Sequence, residues 1–308
     1  MFFAVVNITI FTNVRIFNFS LIQQGLYLII NMNDSNMERL VKMKKFINYL
    51  QNPYLKIFIA PLSLILFGAI MGVSHSQSPK WLAVILLYLI ALTSQLTLHF
   101  LHLKFDRESS ITDNPLLLRI LQGLMILAAI LLMIRQHWII ILLILFYLIY
   151  THIIYYPYNI SNTIYAYILA IFYESFILNI IAYYSQVGAI NNDLLIHLIP
   201  IVLMFAGIYI QTFHLKDELS IYQPSKLWPR LRYLGYILSF LALALGFYLS
   251  LPSRSYFLVQ ILCLLVSGFA LIPSLVVTKN SDQSQRKINY LSAVLSIFTI
   301  IYSLSVLF

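Results

Sequence analysis

Residues 194–218 read LLIHLIPIVLMFAGIYIQTFHLKDE, an apolar run that ends in a short charged cluster. The apolar part is about 20 residues long, the length that a helix needs to cross the hydrocarbon core of a bilayer. Comparable runs recur along nearly the whole chain, whose 308 residues are 61% hydrophobic and 9% charged. Soluble domains carry about 25% charged residues. The sequence therefore predicts an all-α membrane protein and leaves no room for a sizeable soluble domain.

The apolar runs predict nine transmembrane helices within one domain that spans residues 51–308. The predicted spans are 54–74, 81–103, 116–134, 137–156, 163–188, 194–213, 231–251, 255–277 and 288–308. We expect residues 1–50 to form an N-terminal extension outside this domain. That extension is an interfacial amphipathic segment, a tenth helix, or a stretch upstream of a true start at Met37 or Met43.

The basic residues predict how the helices are oriented. If the segment before the first helix faces the cytoplasm, twelve basic residues fall on the inside and three on the outside. Those on the inside are Arg39, Lys42, Lys44, Lys45, Lys104, Arg107, Lys216, Lys226, Arg230, Lys279, Arg286 and Lys287, and those on the outside are Lys80, Arg135 and Arg254. Because cytoplasmic loops are enriched in Lys and Arg, we expect a multi-pass membrane protein with a cytoplasmic N terminus. The scatter of these charges over several loops argues against a nucleic-acid partner.

Five of the ten acidic residues lie in two clusters where predicted helices meet the cytoplasmic face. The two acidic clusters are Asp106, Glu108 and Asp113, with Lys104 and Arg107 beside them, and Asp217 and Glu218, with Lys216 and Lys226 beside them. Carboxylates of this kind can hold Mg²⁺, which prefers oxygen ligands, and the basic residues can hold phosphate oxygens. The sequence therefore indicates a site for a metal-bound diphosphate, with solvated helix ends as the alternative interpretation.

Glu174 lies midway along the fifth predicted helix, between Tyr173 and Ser175. An ionisable residue at membrane depth indicates a functional site. The alternative is a structural glutamate that is hydrogen-bonded to His152 or to tyrosine side chains. The single cysteine, Cys263, excludes a disulfide or a multi-cysteine metal site within one chain.

Several short motifs along residues 50–308 resemble those of the UbiA superfamily of intramembrane prenyltransferases, especially the menaquinone-type members that act on naphthoates. The motifs that carry this resemblance are Asn52-Pro53, Ala60-Pro61, Phe67-Gly68, His102–Asp106, Thr112-Asp113-Asn114, Tyr155-Tyr156-Pro157, Ala182–Gly188, Lys216-Asp217, Ser225-Lys226 and Leu234-Gly235. The resemblance implies a nine-helix bundle that transfers a prenyl group from an isoprenyl diphosphate to an aromatic or lipophilic acceptor within the membrane.

The resemblance also implies roles for individual residues. Asp106 and Asp217 would be the catalytic residues and the main Mg²⁺ ligands, with Asp113 and Glu218 as further metal ligands. The diphosphate would be held by four basic residues, Lys104, Arg107, Lys216 and Lys226.

The chain departs from the family pattern at both acidic motifs. Where the family has Asn-Asp-x-x-Asp, this chain has His102 and Leu103 before Asp106, and Ile221 replaces an aspartate four residues after Asp217. Two other functions stay open. One, supported by Leu103 and Ile221, is a non-catalytic relative that binds an isoprenoid or a partner protein, and the other, suggested by the repeat-like halves of the chain and by Glu174, is a small-solute transporter.

Overall fold

The computed structural model describes residues 53–106, 115–134, 136–220, 227–250, 257–276 and 280–307. Within these ranges the chain is helical and contains no β-strand. The helices are α1 (Pro53–His75), α2 (Trp81–Asp106), α3 (Pro115–Met133), α4 (Trp138–Ile153), α5 (Ile164–Val187), α6 (Asn192–Glu218), α7 (Leu227–Ser250), α8 (Phe257–Leu271), which continues as a 3₁₀ turn (Ile272–Leu275), and α9 (Ser281–Leu307). The predicted N-terminal extension, residues 1–50, lies outside the described residues.

Seven of the described helices are long and apolar enough to cross a bilayer, which makes the chain an all-α, multi-pass membrane protein. They are α1, α2, α3, α5, α6, α7 and α9. The helix α4 and the end of α8 are apolar but shorter. Large apolar side chains such as Leu116, Ile130 and Tyr233 are exposed on the outer helices. An apolar outer surface of this kind suits contact with lipid tails rather than with water.

Several helices extend further than the apolar runs predict. Helix α6 continues through the second acidic cluster to Glu218, where a loop from residue 214 was predicted. Helix α2 continues to Asp106, and α9 begins at Ser281 rather than at residue 288. Hydropathy detects the part of a helix that lies in apolar surroundings. The backbone hydrogen bonds of a helix continue past that part, so polar residues such as Lys216 remain helical.

Helix α1 lies at the centre of the bundle, packed against α2, α5 and α9. Its contact with α5 is close, because a Cβ atom built on Gly68 would lie 2.0 Å from the backbone oxygen of Asn179. The Gly68 backbone N–H donates a hydrogen bond of 2.9 Å to Oδ1 of Asn179. Helices α6 and α7 meet in the same way, since a Cβ on Gly207 would lie 2.6 Å from the Gly235 carbonyl oxygen. Glycines therefore set the spacing of the central helices.

Helix α5 changes its winding in the middle, where Ile171–Ile177 form a π-helical segment between two α-helical parts. The Leu178 backbone N–H bonds to the Tyr173 carbonyl, five residues earlier. Side chains satisfy the carbonyl oxygens in this region: Oγ of Ser175 donates to the Ile171 carbonyl, and Nδ2 of Asn179 donates to the Ser175 carbonyl. The segment places Glu174 in the interior of the bundle, where it is buried.

Candidate functional site

A cavity of about 450 Å³ lies inside the bundle, enclosed by α1, α2, α4, α5, α6 and α9. Its lining residues come from the C-terminal parts of α2 and α6 and from the N-terminal parts of α1, α5 and α9. These helix ends therefore meet around one space. Cavities that bind small molecules in proteins have volumes of about 300–1,000 Å³. The cavity is therefore large enough for an organic ligand.

The walls of the cavity are mostly apolar and aromatic. The lining side chains of this kind include Ile57, Leu64, Leu96, Tyr150, Ile154, Tyr155, Ile208, Phe213 and Leu295. Tyr155, in the predicted Tyr-Tyr-Pro motif, also stacks on Phe105 of α2, with ring centroids 5.8 Å apart. Such walls suit a hydrocarbon or aromatic ligand, because burying apolar surface away from water is favourable.

One end of the cavity is formed around the Glu174 carboxyl group, and we call it the Glu174 end. The hydroxyl of Tyr150 donates a hydrogen bond of 2.7 Å to Oε1 of Glu174, and the hydroxyl of Tyr209 donates a short one to Oε2. Gln95 also hydrogen-bonds this carboxyl group. Tyrosine partners were among those expected for Glu174 from the sequence, whereas His152 bonds elsewhere, to Gln122 and the Leu148 carbonyl.

The opposite end of the cavity carries a cation, and we call it the Lys216 end. Lys216 lines it from α6, His102 from α2, and Gln285 and Asn289 from α9. His102 lies seven positions after Gln95 on α2, and Lys216 lies seven positions after Tyr209 on α6. At 1.5 Å per residue, the two polar ends are about 10 Å apart.

Of the four residues expected to hold the diphosphate, Lys216 lines the cavity and Lys104 does not. Lys216 is half-buried and lines the cavity, with Nζ 5.8 Å from the centroid of the Phe213 ring. Lys104 is exposed and does not line the cavity; its Nζ lies 5.8 Å from the centroid of the Phe105 ring. The other two expected residues, Arg107 and Lys226, lie outside the described residues.

Of the four expected metal ligands, the structure describes the side chains of Asp217 and Glu218, and these two lie in different surroundings. Asp217 is buried but is not part of the cavity lining, and Glu218 is turned to another face of α6, where Oε1 lies 3.6 Å from Nε2 of His214. Asp113 lies outside the described residues, and of Asp106 only the backbone is described, at the end of α2. The described side chains include no group of three or more His, Cys, Asp or Glu residues placed to hold a metal ion.

Several residues that shape this cavity were not predicted from the sequence. Gln95 lines it from α2, Gln285 and Asn289 line it from α9, and Tyr209 of α6 supplies one of the two tyrosine hydrogen bonds to Glu174. Each is a polar residue on a helix that also carries long apolar runs, which is a detectable signal. Their convergence on one cavity depends on helix packing, which the sequence does not display.

Comparison of the chain with family models, with curated proteins and with solved structures found no match.

Proposed function

We propose that this chain transfers a prenyl group from an isoprenyl diphosphate to an aromatic or lipophilic acceptor inside the membrane. The proposal includes a bundle of nine membrane-spanning helices, which the apolar runs predict. It also places the Lys216 end at the cytoplasmic face, as the distribution of basic residues predicts. It combines the motif resemblance with the form of the cavity. Membrane lipids surround the site, and the acceptor enters from among them.

The observation that carries the proposal is the polarity of the cavity along its length. A cation, Lys216, lies at one end of apolar and aromatic walls. In a prenyl diphosphate the anionic group would match the Lys216 end, and the hydrocarbon chain would match the apolar walls between the Lys216 end and the Glu174 end. Lys216 would hold the diphosphate through charge-assisted hydrogen bonds, and Tyr155 and Phe213 would contact the hydrocarbon.

In the proposed reaction the bond between the first carbon of the prenyl group and the diphosphate oxygen breaks. The electron pair leaves with the diphosphate, and an allylic carbocation remains. A carbon of the acceptor then bonds to the cation, and a proton leaves the acceptor. The cation at the Lys216 end stabilises the charge that builds on the leaving group.

Mg²⁺ is the cofactor that the resemblance implies, and the described carboxylates alone do not form a site for it. Asp217 and Glu218 lie in different surroundings, so they do not act as a ligand pair. A metal ion at the Lys216 end would depend on Asp106, the last residue of α2, and on Asp113 after it. Its chemical contribution would be to neutralise the diphosphate.

A second function, binding of an isoprenoid without catalysis, is favoured by one specific observation. Leu103 lines the cavity at the position where the resembling family carries an aspartate. Leucine cannot bind a metal ion, and Asp217, the acid expected from α6, is not part of the lining. A chain with this arrangement would retain a place for the hydrocarbon while losing the ionisation step.

The test is binding of geranylgeranyl diphosphate to the purified full chain, with and without Mg²⁺. We expect Lys216→Ala to raise the Kd about 10- to 100-fold, the equivalent of one charge-assisted hydrogen bond of about 1.5–3 kcal/mol. Lys104→Ala is the matched control, because it removes the same charge at the end of α2, a helix that also lines the cavity, from a side chain outside the cavity, and its Kd should stay within about twofold.

The two functions are then separated by turnover. Wild-type protein is incubated with the diphosphate, Mg²⁺ and a panel of hydroxylated aromatic acids, and prenylated product and released diphosphate are measured. Product that disappears in Asp106→Asn supports prenyl transfer, and binding without diphosphate release supports the non-catalytic function. Absence of binding, or equal loss of binding in both lysine variants, contradicts both.

A further inference from the structure

A second, smaller pocket lies on the opposite side of α6 from the cavity. It has a volume of about 20 Å³ and is lined by Gln211, His214, Leu215 and Glu218 of α6, Arg232 and Tyr236 of α7, and Lys287 of α9. These residues do not line the cavity, so the pocket is a separate site. Its volume is enough for one water molecule or one monatomic ion.

The pocket contains buried polar atoms that have no hydrogen-bond partner among the described residues. Gln211 is 2% exposed, and both its amide nitrogen Nε2 and its amide oxygen Oε1 lack a partner. Nδ1 of His214 is also buried without a partner. Leaving a buried donor such as Nε2 unsatisfied is unfavourable, so a bound species that accepts a hydrogen bond from it would remove part of the penalty.

The lining of the pocket offers more hydrogen-bond donors than acceptors. Nε of Arg232 donates to the Tyr236 hydroxyl over 3.0 Å, and Nζ of Lys287 donates to the Val276 carbonyl over 2.6 Å. These bonds leave the terminal N–H groups of the guanidinium, two N–H groups of the ammonium and the amide N–H groups of Gln211. The acceptors among the lining groups are fewer, and the carboxylate, Glu218, has a side chain that is 44% exposed and lies near His214.

We propose that this pocket binds a monatomic anion of the size of chloride. The small volume favours a monatomic ion over a polyatomic one such as phosphate. Two cationic side chains against one partly exposed carboxylate disfavour a metal cation, because charges of the same sign repel. The anion accepts hydrogen bonds from Gln211, Arg232 and Lys287, and it links α6, α7 and α9 at one end of the bundle.

The first experiment measures thermal unfolding of the purified full chain in sodium chloride, sodium bromide and sodium gluconate at the same ionic strength. A ligand that binds only the folded state raises the unfolding temperature. Gluconate is too large for the pocket, so we expect a higher unfolding temperature in chloride and bromide than in gluconate. Equal temperatures in the three salts mean that the pocket holds water alone, and they overturn the proposal.

Two variants test whether the effect of chloride on the unfolding temperature arises at this pocket. Arg232→Gln should raise the half-saturating chloride concentration at least about tenfold, as expected for the loss of one charge-assisted hydrogen bond. Arg230→Gln is the matched control, because Arg230 is exposed on the same helix and does not line the pocket. A chloride response that persists unchanged in Arg232→Gln contradicts the assignment.

A direct measurement covers the case in which Arg232→Gln fails to fold. Equilibrium retention of radiolabelled chloride by wild-type protein should saturate at one ion per chain and should be displaced by bromide. Gln211→Leu, which removes the buried amide while keeping a similar side-chain size, should lose this retention. Absence of saturable retention in the wild type, or equal retention in Gln211→Leu, refutes the site.

Discussion

Replacing Glu174 by leucine should destabilise the protein strongly, because the carboxyl group satisfies two buried tyrosine hydroxyls from two other helices. Tyr150 on α4 and Tyr209 on α6 both donate to it, and Glu174 itself is 3% exposed. Leucine accepts no hydrogen bond, so both hydroxyls would lose this partner within the bundle. The glutamate therefore joins α4, α5 and α6 at the Glu174 end of the cavity.

The expected loss follows from the number of groups that are left unsatisfied. Each buried hydroxyl without a partner costs about 1–3 kcal/mol, which gives about 2–6 kcal/mol for Glu174→Leu. Typical proteins have a total stability of about 5–15 kcal/mol, so the unfolding temperature should fall by the order of 10 °C. Glu174→Gln keeps a carbonyl acceptor at the same position, so its unfolding temperature should fall by less.

The assay is thermal unfolding of detergent-purified protein, followed by tryptophan fluorescence, with a double-mutant cycle. Tyr209→Phe should destabilise the wild type, but in the Glu174→Leu background it should restore part of the lost stability, because it removes a hydroxyl that has no partner there. Tyr165→Phe is a control, since Tyr165 is 68% exposed. A Glu174→Leu protein as stable as the wild type would refute the reasoning, and so would equal effects of Tyr209→Phe in both backgrounds.

Two further predictions concern the close helix contacts and use the same unfolding assay. Gly68→Ala should lose at least about 2 kcal/mol, because its new Cβ would meet the backbone of α5, which cannot move aside without shifting the helix. Gly123→Ala, with nothing within 4 Å of its added Cβ, is the matched control, and equal stability of the two variants would show that the close approach is unimportant. Gly207→Ala should lose about 1–3 kcal/mol by separating α6 from α7 at Gly235. If Gly207→Ala is as stable as Gly123→Ala, the spacing between α6 and α7 does not depend on glycine.

The helices were predictable because a membrane span has to satisfy its backbone hydrogen bonds internally. A long apolar run therefore leaves little choice other than a helix, and the predicted spans match the described helices closely in their apolar parts. The ends were less predictable. The polar extensions at Lys216 on α6 and at the start of α9 lie beyond the apolar length that hydropathy measures.

The residues that line the cavity could be predicted from the sequence only in part. Both acidic clusters were expected to belong to one site, and the ends of α2 and α6 do line one cavity. Residues that are adjacent in sequence nevertheless point in different directions, because each helical residue is rotated by about 100° from the one before. Lys216 lines the cavity, Asp217 is buried beside it, and Glu218 lines the second pocket.

The π-helical segment of α5 was not predictable, because its residues, Ile171–Ile177, have no composition that distinguishes them from an ordinary apolar helix. Glu174 was identified as a candidate because of its charge at membrane depth. Its two tyrosine partners come from α4 and α6, and only the packed bundle brings them together.

The π-helical segment also changes the directions in which the side chains of α5 point before and after it. A π-turn contains about one residue more than an α-turn. The side chains after the π-helical segment therefore point in directions different from those that they would have in a continuous α-helix. The first part, with Ala166 and Ala170, lines the cavity together with Glu174 of the segment, and the second part carries Asn179 against Gly68 of α1. Deleting one residue from the segment would rotate these two surfaces relative to each other by about 100°. The number of residues in this segment, as much as their identity, therefore specifies how one helix can serve both the ligand space and the central scaffold.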